Sequence, residues 1–540
     1  MEKATPLHGE VEVDESYFGG KRKGKRGRGA KGKVPVFGLL KRGGRVYTLP
    51  IPNAKAKTLM PIIESRVVPD SIVYTDSFAS YDVLDVSWFH RQYASPLEFC
   101  SGLEWSGDYN RAMLMETMRR WWWPAFVFVY PLLFWPHQGG PSLDQQNLLR
   151  IYFSFLALIG GALLEWFAHP EAHLSHFPRV LRWFRQNPPA LVALLYGVWP
   201  LVASAFAPYP ALSLTGSSED HSDGAIMQAV MSAIFLLVYL RARLDRGLFR
   251  RVLGALVGSA LVLSLLAAVE VFTARPLVFD APRGDLPLVT FPGKGHLAGY
   301  LSFSLSAAAG LGLWWAVFLA AFAVGLTYNR SAVLSSLLGG FYGGWRQPRR
   351  WLVVLALVSG LGLGWLMVGR VAPGGQEKDM SNPQTLEARF YFWRAAARGI
   401  AARPVTGWGG GQFYFFWARM LSDEELKRFF ALHDRELIEY HEGLMFLVKN
   451  KEGRKYIERI YGWKAHNQFL DVGLMWGLVG LFLYLALLFY TVPSALRGNP
   501  AAVAILAYHV FLLFWFLPEE ALGGVWVVWA LAVGRRGVQS

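Results

Sequence analysis

Three short stretches set proton- and phosphate-handling side chains among long apolar runs. LTYNRSAVLSS (Leu326–Ser336) carries Arg330. EARFYFWRAAARGIAARPVTGWGGGQF (Glu387–Phe413) carries Arg389, Trp393 and Arg394 on an expected helix, which ends at Pro404 ahead of the turn Gly407-Trp408-Gly409-Gly410-Gly411. AHNQFLDVGLMWGLVG (Ala465–Gly480) opens on His466 and Asn467. Arginine presents a planar fork that binds phosphate oxygens bidentately, and a neutral imidazole accepts a proton from an attacking hydroxyl. A histidine with several arginines at a membrane surface is therefore equipment for a lipid-linked pyrophosphate. Arg394 and Arg398 read as solvated charges, and a glycine-rich turn alone is weak evidence for phosphate. His433 and His441, with Glu442 beside the second, lack a third well-spaced ligand, so no metal site is expected there.

The elements that must position these residues are membrane helices. Of 540 residues, 53% are hydrophobic and only 17% charged, with 22 Trp, 37 Phe and a mean hydropathy of +0.27. Soluble domains carry about 25% charged residues. The balance is basic, 54 Lys+Arg against 39 Asp+Glu, or +15. The single cysteine, Cys100, excludes an internal disulfide and a CxxC metal or redox site. MEKATPLHGEVEVDES has no apolar core, so no signal peptide is expected and insertion begins at an internal helix.

Twelve apolar stretches are candidate spans: 121–137, 148–168, 189–207, 225–240, 252–272, 296–311, 313–328, 331–343, 352–369, 466–491, 500–517 and 521–534. Twelve alternating spans put both termini on one side. They group the basic segments Arg119-Arg120, Arg179 to Arg185, Arg241–Arg251, Arg346–Arg350, Arg497 and Arg535-Arg536 on that side. The acidic loop Ser217–Asp223 and Pro518-Glu519-Glu520 fall opposite, as the positive-inside rule requires for cytoplasmic termini. Residues 119–369 then hold nine spans and 466–540 three, flanking one large external loop, 370–465. Within it, Asp423–Trp463 mixes acidic and basic residues at helical spacing and reads as amphipathic helices on the outer face. Arg330, the Arg389 helix and His466 all lie on the outer side, and Glu165 and Glu270 are the rare mid-span charges.

The three stretches, in this order, resemble the O-antigen ligase family of polytopic membrane glycosyltransferases over about 120–534. The GWG turn and the His-Asn start of the tenth span carry most of the likeness. The resemblance implies an all-α membrane fold of about twelve helices in the inner membrane. It implies metal-independent, inverting transfer of a glycan from undecaprenyl pyrophosphate to an acceptor at the periplasmic face, with no cofactor. The acceptor is a lipid A core, another lipid or a protein. Carried over residue by residue, His466 is the base, Arg330 and Arg389 bind the pyrophosphate, and Asn467, Trp408 and Gly409 shape the substrate site. Trp476 departs from relatives that have an acidic residue there. O-antigen polymerases share the fold and stay open as an alternative. A transporter would want charged or broken helices at the bilayer midplane, and that reading ranks below these.

Residues 1–92 read differently. Val11–Phe18, Val34–Leu40, Arg45–Ile51 and Ser71–Ser77 are short strand-like runs, and Lys57–Val67 is an expected helix. GEVEVDESYFGG and SIVYTDSFASYDVL resemble the catalytic domain of ISXO2-like (IS1595-type) insertion-sequence transposases over about 8–91, which implies an RNase H-like α/β fold. Asp14 and Asp76 coincide with the first two carboxylates of that family's acidic triad, which holds metal ions about a scissile phosphate. The basic run Lys21–Lys33 suits a DNA backbone. The family pattern then stops: after Trp88-Phe89-His90-Arg91 no helix supplies a third carboxylate, and Glu98 and Glu104 lie in the wrong context. The expectation is a truncated, inactive remnant whose carboxylates are vestigial. It is joined through 93–118 to the membrane protein, with Met113, Met115 and Met118 as plausible original starts and nucleic acid not a working partner.

Overall fold

The computed structural model describes residues 7, 10–18, 34–41, 46–69, 71–75, 90–93, 108–134, 143–168, 177–217, 221–245, 247–279, 286–371, 383–432, 434–441, 445–459 and 464–534. The chain divides into two units, Met1–Glu116 and Thr117–Ser540.

In the first unit, β1 (Glu10–Phe18), β2 (Val34–Lys41), β3 (Val46–Pro50), helix α1 (Ala56–Arg66), β4 (Ile72–Thr75) and β5 (His90–Tyr93) follow in chain order. The expected strands and helix all form. The sheet runs β3-β2-β1-β4-β5, antiparallel through the first three strands and parallel from β1 to β4 and β5. Alternate residues Val11 and Val13 of β1, and Phe37 and Leu39 of β2, are fully buried with Leu59 and Ile63 of α1, the period-two pattern of strands with a covered face. Asp14 lies half-buried on β1, opposite Gly38. Asp76 and Lys21–Lys33 fall outside the described residues.

The second unit is built from helices: α2 (Asp108–Val129, begun in the first unit), α3 (Leu143–Ala168), α4 (Phe177–Gln186), α5 (Pro188–Ser204), α6 (Pro210–Thr215), α7 (Ala225–Leu244), α8 (Leu248–Thr273), α9 (Lys294–Gly310), α10 (Trp314–Leu326), α11 (Arg330–Trp345), α12 (Arg350–Val371), α13 (Pro383–Ala402), α14 (Phe413–Phe416), α15 (Asp423–Ala431), α16 (Gln468–Leu496), α17 (Pro500–Phe511) and α18 (Glu519–Gly534). Each of the twelve apolar stretches lies on one of them. Five helices are long and apolar enough to cross a bilayer, within α3, α7, α8, α12 and α16, while α5, α10 and α17 are apolar but shorter. The chain is thus a multi-pass helical membrane protein.

Helix α9 sits at the centre: apart from His296, every residue from Gly295 to Gly310 is buried. Its Gly, Ala and Ser residues let α11 and α17 approach closely, as small residues do in membrane bundles. Glu165 pairs with Arg119 at 2.8 Å and faces Arg241 at 3.7 Å. Glu270 accepts main-chain N–H bonds from Leu277, Leu288 and Val289 at 2.7–2.9 Å. Both acids are therefore satisfied structural groups.

The segment between α12 and α16 corrects one expectation. Asp423–Ala431 is the amphipathic helix anticipated, with a capping box between Ser422 and Glu425. From Glu436 on, however, the chain forms a three-stranded antiparallel sheet of β6 (Glu436–His441), β7 (Met445–Lys449) and β8 (Lys455–Arg459). Alternation explains it: Phe446 and Val448 on β7 are fully buried, and their neighbours face outward. Asn450–Arg454 closes the β7–β8 hairpin around Gly453, whose φ is +80°. This sheet joins α13 and α15 around Phe392, Trp417, Phe429 and Phe430, a core separate from that of the bundle.

Candidate functional site

His466 and Asn467 begin α16. The Asn467 side chain accepts from the N–H groups of Phe469 (3.0 Å) and Leu470 (3.1 Å), a helix cap, and its amide donates to the Leu513 carbonyl at 2.9 Å. The Gln468 N–H donates to the carbonyls of Leu512 and Trp515, both at 3.0 Å, and the Gln468 side-chain oxygen accepts from the Leu517 N–H at 2.7 Å. The start of α16 is thereby stitched to the connector between α17 and α18. His466 itself takes a left-handed φ of +54°. Such a conformation is uncommon for a residue with a side chain and marks a constrained position.

The connector supplies Trp515 and Phe516, on which four basic side chains converge. The His466 ring centroid lies 5.3 Å from Trp515 and 5.5 Å from Phe516, and the His296 centroid lies 6.0 and 5.2 Å from the same two rings. The Arg389 guanidinium stands over Trp515 at 5.1 Å and the Lys464 ammonium over Phe516 at 4.6 Å. The two cations differ in their other partners. Lys464 is buried against the Asp223 carboxylate at 2.8 Å. Arg389 donates to the Phe514 carbonyl at 3.1 Å and, among the described residues, has no carboxylate partner. Its positive charge is left for an anion.

Burial, reinforced by the charges of Arg389, His296 and Lys464, pushes the His466 pKa down to about 3. The imidazole is neutral at physiological pH. Its Nδ1 is buried and has no hydrogen-bond partner among the described residues.

Arg330 heads α11 and is exposed, with Asn329 capping the helix. Helices α9 and α11 run parallel at a constant offset: Gly310 faces Gly343 and Ser306 faces Gly339, 33 residues apart in each case. Continued to the head of α11, that offset puts Arg330 at the same end of the bundle as the start of α9. Among the described residues no contact joins Arg330 to His466 or Arg389.

The glycine turn has a different job. Gly477 breaks α16 with a φ of +67°. The freed carbonyls of Leu474 and Met475 accept from Trp408 N–H (2.8 Å) and Gly409 N–H (2.9 Å), and Leu478 N–H donates to the Pro404 carbonyl at 2.7 Å. The Trp408 indole donates to the Gly399 carbonyl at 2.8 Å, and the Trp199 indole to the carbonyl of the fully buried Trp476. Trp408 and Gly409 thus clamp the kink at Gly477, about 16 Å along the chain axis of α16 from His466 at 1.5 Å per residue. Their main-chain donors face the helix, not a phosphate.

Arg394 and Arg398, about half exposed, both bridge to Glu425 at 2.6 Å instead of standing free in solvent. His433 and Glu442 lie outside the described residues, as does the side chain of His441. Among the described residues no three His, Cys, Asp or Glu side chains gather to hold a metal ion.

Sequence reasoning missed His296, Lys464, Trp515, Phe516 and Glu520. Pro518-Glu519-Glu520 is visible as an acidic outer segment, but Glu520 is buried on Arg150 at 3.2 Å and faces His296 at 3.3 Å. Nothing in local spacing announces partners 224 and 370 residues away.

Comparison with known proteins fits this division. Residues 6–95 match the ISXO2-like transposase domain family, and residues 315–437 match the O-antigen ligase family. The second match includes Arg330, Arg389, Trp408 and Gly409 and stops before His466. An uncharacterized transposase-like protein of Haemophilus influenzae is 64% identical over 45 residues, 8% of this chain and 37% of the relative. An uncharacterized protein in the transposable element ISH50 of Halobacterium salinarum is 36% identical over 95 residues, 15% of this chain and 32% of the relative. The chain thus spans about a third of the length of the curated relatives it matches. One polypeptide joins a segment similar to the ISXO2-like transposase domain to a multi-pass helical membrane protein with a segment similar to the O-antigen ligase family.

Proposed function

We propose that the helical unit transfers a glycan from undecaprenyl pyrophosphate to an acceptor hydroxyl of a lipid A core, another lipid or a protein. It does so at the periplasmic face of the inner membrane, spanning the bilayer twelve times with both termini cytoplasmic. The observation that carries this reading is the pairing of a neutral imidazole, His466, with Arg389, a cation that has no carboxylate partner among the described residues. The acceptor oxygen forms a bond to the sugar C1 as the C1–O bond to the pyrophosphate breaks, with inversion. The proton of the hydroxyl passes to the His466 imidazole. The bonding pair leaves with undecaprenyl pyrophosphate, whose charge Arg389 and Arg330 offset. No metal or cofactor takes part.

The low proton affinity of His466 in the free protein fits this order of events. It arises from burial and neighbouring cations, so an arriving pyrophosphate counters the second cause and strengthens the base when the donor is in place. Asn467 fixes the backbone from which the imidazole projects. Trp408 and Gly409 contribute through the α16 kink.

The test is glycan transfer in membranes from an undecaprenyl-pyrophosphate donor. Wild type should transfer; His466→Ala should fold and lose transfer by 10²-fold or more; Arg330→Ala should weaken donor use. Transfer by His466→Ala at the wild-type rate would refute the assignment. A lengthened glycan still on its lipid carrier would identify a polymerase. For the first unit, the sheet order β3-β2-β1-β4-β5 supports an RNase H-like remnant, with Asp14 and Asp76 vestigial for want of a third carboxylate. Strand cleavage by the full chain with Mg²⁺ or Mn²⁺ would overturn that.

A further inference from the structure

His296 is the only residue of α9 from Gly295 to Gly310 that is not buried, and it projects toward the same aromatic pair as His466. Its Nδ1 stands 3.3 Å from Oε2 of Glu520, an ion-pair separation short of an aligned hydrogen bond. Glu520 is itself fixed from behind. Its other oxygen accepts from Arg150 at 3.2 Å, and Arg150 is fully buried, donating also to the carbonyls of Leu133 and Thr290 at 3.1 and 3.0 Å. Three helices, α3, α9 and α18, thus combine to place one carboxylate against one imidazole nitrogen. A buried ion pair is seldom a net source of stability, so burying Arg150 and Glu520 behind a partly exposed histidine calls for another explanation.

The two imidazoles have opposite surroundings. His466 lies among cations. His296 faces a carboxylate, which directs a proton onto Nδ1 and leaves Nε2 as the ring's other contact, as second-shell carboxylates do for histidine generally. Arg389, Lys464 and His466 meet the same two rings as His296, and all three are basic.

We propose that His296, set by the buried Glu520–Arg150 pair, is a second phosphate-binding imidazole of the donor site and donates from Nε2 to a pyrophosphate oxygen. The proposal rests on the reading of the donor as a lipid pyrophosphate. With Glu520 facing Nδ1, Nε2 is the ring nitrogen left for the pyrophosphate. His466 takes the acceptor's proton. Two like residues at one site then take unlike roles because their neighbours differ. Glu520 and Arg150 are positioning residues.

The full-length protein in detergent should bind undecaprenyl pyrophosphate and inorganic pyrophosphate. His296→Phe keeps the ring against Trp515 and Phe516 and should weaken binding of both by at least tenfold. Glu520→Gln, which loosens the imidazole, should also weaken both; if it fails to fold because Arg150 loses its counter-charge, His296→Phe alone decides. Binding by His296→Phe within twofold of wild type would overturn the proposal. Pyrophosphate binding that depends on His296 in a protein without glycan transfer would uphold this site and sink the transferase reading. Transfer lost in His466→Ala, with transfer and binding intact in His296→Phe, would do the reverse.

Discussion

Replacing Gly407 by alanine tests the role given to the glycine turn. Gly407 has a φ of +70°, where an L-residue costs about 1–2 kcal/mol. A Cβ there would meet the Met475 carbonyl oxygen at 2.5 Å and both the Gly477 nitrogen and the Leu474 carbonyl oxygen at 2.6 Å. All three are main-chain atoms, which cannot rotate aside, so the turn must retreat from α16. The bonds from Trp408 N–H to Leu474 and from Gly409 N–H to Met475 then stretch or break, leaving buried groups unpaired at about 1–3 kcal/mol each. The expected destabilisation is about 4–6 kcal/mol. Gly453 is the control: its φ is +80°, but nothing lies within 4 Å of a Cβ there, so Gly453→Ala should cost only about 1 kcal/mol of backbone strain. Unfolding titrations with SDS in mixed micelles would compare the two. If the variants fall within about 1 kcal/mol of each other, the clamp does not hold the kink.

Three further outcomes follow from the same geometry. The unfolded chain protonates His466 near pH 6.5, while the folded imidazole stays neutral down to about 3; the folded state therefore loses stability as pH falls through that window. The loss approaches 1.4 kcal/mol per pH unit, and unfolding of wild type against His466→Gln at pH 7 and pH 5 should show about 2 kcal/mol of it absent from the variant. Glu425, held down to about 2 first by its bond to Arg398, contributes stability that is present above pH 4.5 and lost as pH falls through 2. Because Arg394 and Arg398 are about half exposed, Glu425→Ala should cost only about 1–2 kcal/mol at pH 7, mostly through the capping box, read as a lower midpoint of thermal unfolding. A chain begun at Met113 should transfer glycan within twofold of the full chain; a larger loss would give the first unit a working part in the membrane enzyme.

How much could be read from sequence depended on the range of the interaction. The strands of the first unit and the twelve apolar stretches were legible because period-two alternation and long apolar runs are local signals. Asn467 was legible as part of a helix start, and α15 through its acidic first turn. The strands β6 to β8 were missed because charges at helical spacing masked a buried alternation of only two residues on β7, Phe446 and Val448. The kink was missed because one glycine in an apolar run looks harmless; only the opposing turn shows that Gly477 is in the left-handed region. The Trp515–Phe516 pair, Glu520 and His296 belong to connectors and helix ends whose meeting is decided by packing of α9, α16, α17 and α18. Their chemistry is carried by contacts, not by spacing.

Those contacts also sort the cations, which composition cannot. Several of the described cations have a local account: Lys464 is balanced by Asp223, Arg150 by Glu520, and Arg394 and Arg398 by Glu425. Arg389 is different, since an aromatic face and a carbonyl hold it in place without neutralising it. A cation stacked on an indole keeps its charge and gains about 0.5–2 kcal/mol of placement, so it is already oriented when an anion arrives. A carboxylate in the same position would hold it more firmly but would have to be displaced by the ligand. An aromatic floor beneath Arg389, with a neutral imidazole on the same floor, is therefore the arrangement expected where a pyrophosphate must bind and leave in every cycle. A permanent structural ion pair would be built as Lys464 and Asp223 are.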